Sequence, residues 1–191
     1  MIKQCARCGG DVRVAGVGRI PKYCGNACRQ AAYRARRLPV ELTSRPRWVR
    51  RDAAKRPLTT SGRPASSTSP ATWRAYDRAR DSRVGVGLGF VLGDGVGCID
   101  LDHCLVDGVP LPWARQILRS LPPTYIEVSQ SGEGLHIFGL LPPAPGRKIR
   151  DGVRSVEWYS TGRYIAVTAD SFAGSVSTLA DLTPVVGRLS S

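Results

Sequence analysis

Two aspartates one residue apart, Asp100 and Asp102, lie inside the apolar run GCIDLDHC. On an extended strand, residues i and i+2 project to one face with Cα atoms about 6.6 Å apart. The two carboxylates then stand side by side, while Ile99 and Leu101 face the opposite way. Two ionised carboxylates at that spacing repel, and they stay charged together only when cations neutralise them. Hard divalent ions, Mg2+ or Mn2+, suit an all-oxygen ligand set. A pair of such ions about 3.5–4 Å apart serves phosphoryl and nucleotidyl transfer. A bare DxD also suits a glycosyltransferase, a calcium loop or a solvated strand end, so the downstream segments decide. SQSGEGLHIF sets Ser129, Ser131 and His136 around a glycine-rich turn. Such a turn lets backbone approach a phosphate, and a histidine at its far end can donate to one. SVEWYSTGRYIAVT sets Glu157 in a strand ahead of Arg163. Each of these residues alone has a plainer reading: Glu157 as a surface strand residue, His136 as a satisfied core histidine, Arg163 as a solvated charge. His103 alternates with the aspartates and is given no role.

A second constellation precedes this one. Cys5, Cys8, Cys24 and Cys28 form CxxC, then fifteen residues, then CxxxC. Four thiolates in short-spaced pairs suit a tetrahedral structural Zn2+, each pair gripping from one turn or helix start. The intervening DVRVAGVGRIPKY suits a small hairpin. Cys28 opens NACRQAAYRARR, a helix carrying Arg29, Arg34, Arg36 and Arg37, a surface that contacts phosphates when held rigidly by a metal. Cys98 and Cys104 read as small core residues.

The elements that position these groups follow from the pattern. Residues 1–37 form the cysteine unit; residues 38–69, rich in Pro, Arg, Ser and Thr, read as a basic linker together with the irregular entry to the next domain; residues 70–187 alternate helix and strand signals. Ser69 and Pro70 open a helix through TWRAYDRAR, and PWARQILRSL is a second, stopped by Pro122 and Pro123. VGVGLGFVLG and VGCIDLD are strands. YIEVS and LHIFGLL are expected to pair around SGEG, and VRSVEWY with RYIAVT around STG. Gly85, Gly87 and Gly89 follow a period of two with no helix after them, which makes them strand and turn glycines rather than a dinucleotide loop. Helices with a mostly antiparallel sheet make an α+β domain.

With these motifs in order, the chain resembles the archaeo-eukaryotic primase superfamily, closest to the primase–polymerase domain of phage and plasmid replication proteins. The resemblance rests on IDLD, SxSGxGxH and VEWYSTGRYIAVT, with KRPLTTSGRPASSTSPATW upstream, and spans about residues 45–185. Separately, YCGNACRQAAYRAR resembles short zinc modules. The resemblance implies an RNA-recognition-type palm, with Asp100, Asp102 and Glu157 as divalent-metal ligands and His136, with Ser131 and Ser129 beside it, at the nucleotide's phosphates. Arg163 and Lys55 become candidate phosphate contacts. The third acid is often Asp in the superfamily; here it is Glu. The implied partners are a single-stranded DNA template, nucleoside triphosphates and a separate helicase.

Charge fits that implication. The net charge is +13, yet residues 1–83 carry 20 Lys/Arg against 5 Asp/Glu, and residues 84–191 carry 8 against 10. A basic front on a near-neutral back points to a polyanion, and the segment with Arg47, Arg50 and Arg51 is a candidate template track. Codon bias toward Arg would raise Arg evenly along the chain. No run approaches the roughly 20 apolar residues of a membrane helix and no secretory apolar region opens the chain, so a cytoplasmic protein of a bacterial host is expected. Two alternatives remain beside the enzyme. One is a binding module for replication DNA with a vestigial acidic site. The other, a rolling-circle nickase, lacks its paired histidines, because His103 and His136 lie far apart.

Overall fold

The computed structural model describes residues 3–5, 8–12, 21–35 and 37–190, without the side chains of residues 31–35. In chain order the elements are β1 (Lys3–Gln4), β2 (Asp11–Val12), α1 (Asn26–Ala35), α2 (Val40–Thr43), β3 (Trp48–Arg51) and β4 (Pro57–Leu58). A 3-10 turn (Pro70–Thr72) leads to α3 (Tyr76–Asp81), β5 (Gly87–Val91), β6 (Val96–Asp102), β7 (Leu105–Val106), β8 (Val109–Pro110) and α4 (Pro112–Arg119). The chain ends with β9 (Tyr125–Val128), β10 (Leu135–Leu140), β11 (Arg147–Asp151), β12 (Arg154–Tyr159), β13 (Tyr164–Val167) and α5 (Thr183–Leu189).

Two antiparallel sheets carry the fold. One has five strands in the order β11-β12-β6-β10-β9, the other four in the order β13-β5-β3-β4. The architecture is therefore α+β, mostly antiparallel, with a four-cysteine cluster ahead of the core. Strand alternation splits β6 between two cores. Ile99 and Leu101 pack with Ala114 and Ile117 of α4, Val185 of α5, Ile137 and Val156. On the other face Val96 and Cys98 pack with Trp48 and Phe90 of the four-stranded sheet, together with Tyr125 and Phe138. Cys98 and Cys104 are buried core residues, and burial pushes the Cys104 thiol up to about 12.

Three expectations change. The entry segment within residues 38–69 is regular rather than irregular: it supplies β3, whose Trp48 is fully buried, donates its indole N–H to Leu42 O at 3.0 Å and meets Phe90 edge-on at 5.2 Å. Its Pro, Ser and Arg content masked a short core strand bracketed by turns. VRSVEWY and RYIAVT do not form a hairpin either. β12 pairs with β11 and β6, whereas β13 crosses to pair with β5 in the other sheet. In that pairing Gly89 of β5 leaves room for the Tyr164 ring of β13, where a Cβ would lie 2.3 Å from it. The helix from Ser69 is only a 3-10 turn followed by six residues of α3, and the Ser69 side chain makes no cap bond. The YIEVS–LHIFGLL pairing is present as β9–β10.

Candidate active site

β6 lies in the middle of the five-stranded sheet, and its register builds the site. Asp100 is opposite Glu157 of β12 on one side and His136 of β10 on the other. One strand further out, Lys148 of β11 is opposite Glu157, and Glu127 of β9 is opposite His136. Directly paired residues share a face. One row of the sheet therefore reads Lys148, Glu157, Asp100, His136, Glu127. Asp102 follows one step along β6, opposite Ser155, whose hydroxyl donates to it at 3.3 Å. The inter-sheet core ends at Cys98, so the acidic row begins where apolar contact between the sheets stops.

Burial makes this row electrostatically tense. The Asp100 side chain is 20% exposed, and burial, joined by the charge of Asp102, raises its carboxyl pKa against the opposing pull of His136, Lys55 and Arg163. Crowded carboxylates, with the Asp100 pKa raised among them, form a donor set that a hard divalent cation would satisfy. Glu157 already has cationic company. It pairs with Lys148 Nζ, accepts the Tyr159 hydroxyl at 2.6 Å, and lies 4.0 Å from Arg163 Nη2. The Arg163 guanidinium stacks over the Tyr159 ring at 4.7 Å. The three acids share a face without being drawn to a point: among the described residues, the four cysteines are the group whose ligand atoms close tightly.

His136 is held from both sides. Its Nδ1 is 3.1 Å from Glu127 Oε1 and its Nε2 is 3.9 Å from Asp100 Oδ1. Burial opposes a charged ring, but the Glu127 hydrogen bond and the charges of Asp100 and Glu127 outweigh it, and the pKa is raised. Ser129 and Ser131 staple the turn that carries the histidine. Their hydroxyls lie 3.1 Å apart, Ser129 Oγ accepts the Gly134 N–H at 3.1 Å, and Ser131 Oγ accepts that of Glu133 at 3.3 Å. Lys55, at φ 61°, accepts the Tyr164 hydroxyl through its carbonyl at 2.5 Å, and its charge is felt by both Asp100 and His136. His103 lies apart, exposed and 2.9 Å from Glu133.

A groove of about 540 Å³ borders the turn, lined by Arg51, Tyr76, Leu88, Ser129, Ser131 and Thr168. The neighbouring arginines of the expected template track are committed elsewhere. Arg47 donates to Val91 O, Leu92 O and Asp94 and lies over Trp73 at 4.3 Å; Arg50 donates to Val84 O and Ala79 O. Those two side chains brace the fold rather than present a free charge. Exposed guanidiniums of this region gather instead at Arg74, Arg78 and Arg83, which line an open groove of about 700 Å³.

In the front unit, β1 pairs with β2, and the turn between them is closed by Cys5 N–H to Gly10 O at 2.7 Å and Gly9 N–H to Cys5 O at 2.9 Å. Gly9 sits at φ 72°, where glycine carries no steric penalty. Cys28 enters from the first turn of α1. The four Sγ atoms lie within 4.8 Å of one another, an arrangement that could hold a metal ion. Hydrogen bonds among the thiols, first from Cys28 and then from Cys8 and Cys5, push Cys24 up to about 12. Arg29 donates to Asn26 at 2.9 Å and Arg37 is exposed. Arg36, the side chain of Arg34 and most of the expected hairpin after Val12 lie outside the described residues.

Three site residues escaped the sequence reading. Glu127 was legible only as a carboxylate interrupting YIEV. Tyr159 shares a face with Glu157 by the same i, i+2 rule. Lys148 carried no signal, because the sequence pattern assigned residues 147–151 to no element.

Comparison with known proteins agrees with this geometry. Residues 27–184 match the family described as "Bifunctional DNA primase/polymerase, N-terminal". The DNA Primase-polymerase of Nitratiruptor phage NrS-1 is 40% identical over 124 residues, covering 60% of this chain. The chain spans 17% of the length of that relative. With a family match over most of its length, the chain belongs to the bifunctional DNA primase/polymerase family, a family of DNA-directed nucleotidyltransferases.

Proposed function

We propose that this domain joins nucleoside triphosphates to a 3′-hydroxyl on a single-stranded DNA template. The observation that carries the reading is the row Glu157–Asp100–His136 on three neighbouring strands, with Asp102 one step outward on the same face. Asp100, Asp102 and Glu157 would hold Mg2+ or Mn2+, whose chemistry is to acidify the attacking hydroxyl and neutralise the departing pyrophosphate. The protein side of the reaction is positional. Asp100 and Asp102 set the negative end of the site, and the half-exposed Arg163 and Lys55 bring positive charge to its rim. His136 offers Nε2 toward the triphosphate from beside Asp100. The Ser129–Ser131 turn supplies a narrow approach for phosphate oxygens.

The front unit is proposed to bind zinc through Cys5, Cys8, Cys24 and Cys28, and Arg29 and Arg37 to meet the nucleic-acid backbone beside it. Template binding is assigned to the groove of Arg74, Arg78 and Arg83, with strand opening left to a helicase.

Primer extension with Mn2+ or Mg2+ tests the reading. The parent protein extends a primer, and Asp100→Ala/Asp102→Ala does not; equal activity in both overturns it.

A further inference from the structure

We propose that Glu127 is the positioning residue of the site: its buried carboxylate accepts a hydrogen bond from the Nδ1–H of His136 and so turns Nε2 toward Asp100 and the incoming triphosphate. The inference rests on the nucleotide-binding reading of His136 given above.

Glu127 is fully buried on β9. A carboxylate withdrawn from water is costly unless donors replace the water, and four do. Oε1 lies 3.1 Å from His136 Nδ1 and 3.1 Å from the Thr168 N–H. Oε2 accepts the Tyr125 hydroxyl at 3.0 Å and the Ala169 N–H at 3.0 Å. Each oxygen thus faces a backbone N–H, which always donates and cannot turn away. The ionised carboxylate, an acceptor only, is the form these donors match. Nδ1 is then the nitrogen that donates to Glu127, and Nε2 is the one turned to Asp100, 3.9 Å from its Oδ1. Ala169 reaches Glu127 from φ 57°, a left-handed conformation unfavourable for a side-chain-bearing residue, so the loop after β13 is held where it can supply that N–H. Phe138, two residues along β10, meets the imidazole edge-on with centroids 6.4 Å apart and limits tilting of the ring.

A purely structural Glu127, tying the loop after β13 to β9 through the Thr168 and Ala169 N–H groups, would leave the imidazole unaffected, so the test reads the histidine itself.

 The chain has two histidines, His103 and His136, so a His103→Gln background leaves one imidazole to observe by 15N NMR. The full chain is expected to show a protonated Nδ1 on His136. Glu127→Gln is expected to change the ring-nitrogen pattern and weaken binding of dATP with Mn2+, measured by calorimetry, by about tenfold, as loss of a histidine's orienting partner does elsewhere. Tyr125→Phe removes a donor to the same carboxylate without touching His136, and should leave both readouts within about twofold. An unprotonated Nδ1 in the parent, or an unchanged ring pattern in Glu127→Gln, overturns the proposal. Should Glu127→Gln fail to fold, the parent spectrum decides alone. His136→Ala with undiminished dATP affinity overturns the nucleotide reading instead, and with it the triphosphate half of this inference, while the ring spectrum still reports the Glu127 hydrogen bond.

Discussion

Glu157 stands directly across the antiparallel ladder from Asp100, on the same face of the sheet and away from Ile99 and Leu101. That pairing brings an acid 57 residues downstream to the DxD strand, and it makes the carboxylates one unit. Replacing Glu157 by Gln, which keeps size and removes charge, should lower primer extension by about a hundredfold or more, the scale at which loss of one transition-state-stabilising group is felt. Divalent-ion binding, followed by titration calorimetry, should weaken in parallel. Extension at the parent rate would remove Glu157 from the site.

Asp100 yields a stability prediction with a definite sign. Burial first, then the Asp102 charge, holds its carboxyl pKa above the ordinary 3.8. The folded state therefore binds this proton more tightly than the unfolded chain does. Asp100 costs nothing below its unfolded pKa, and its penalty is fully present once pH exceeds the raised folded value. In metal-free protein, Asp100→Asn should raise the melting temperature at about pH 7 and lose that advantage as pH falls toward about 4. A variant that melts lower than the parent at neutral pH would contradict the assignment of strain to this carboxylate.

The two groups of arginines should separate in binding experiments. Arg78→Glu/Arg83→Glu reverses exposed charge in the groove and should weaken single-stranded DNA binding. The slope of log affinity against log salt should flatten by about one to two. Arg47→Ala should instead act on the fold, because its guanidinium serves two backbone carbonyls, Asp94 and the face of Trp73. Melting curves check the second statement; unaltered DNA affinity in the double variant sinks the first.

Gly89 tests the packing that sends β13 to the four-stranded sheet. A Cβ there would meet the Tyr164 ring at 2.3 Å and Ile165 O at 3.3 Å. Gly89→Ala should cost about 1–3 kcal/mol by overpacking, read by chemical denaturation. Gly89→Ala/Tyr164→Leu should recover part of the loss.

The cysteine unit predicts a metal stoichiometry. Cys24→Ser should release bound zinc, detectable by a chromogenic chelator. Because the thiols must lose protons to bind, and Cys24 is pushed up to about 12 by its neighbours, metal affinity should rise with pH. Pairing and melting of the two large sheets should change little, since their cores contain none of these four cysteines.

The chemistry of this protein was legible in one dimension wherever spacing alone sets geometry. The i, i+2 rule puts Asp100 and Asp102 on one strand face, CxxC and CxxxC bring thiols together across single turns, and SGEG closes a hairpin between neighbouring strands. Each depends on contacts a few residues apart. What linked those pieces depended on contacts between strands far apart in sequence. Only strand order decides that β12 lies beside β6, placing Glu157 and Lys148 in the row, and that β13 leaves for another sheet. Only packing shows that Trp48 belongs to a core strand and that Arg47 braces its start, because a Pro- and Ser-rich surround hides the four buried residues of β3 from any composition test. Glu127 is the sharpest case. As a letter in YIEV it is a charged residue in an apolar strand; its four donors come from β9, β10 and the loop after β13, and they meet only when the chain is folded.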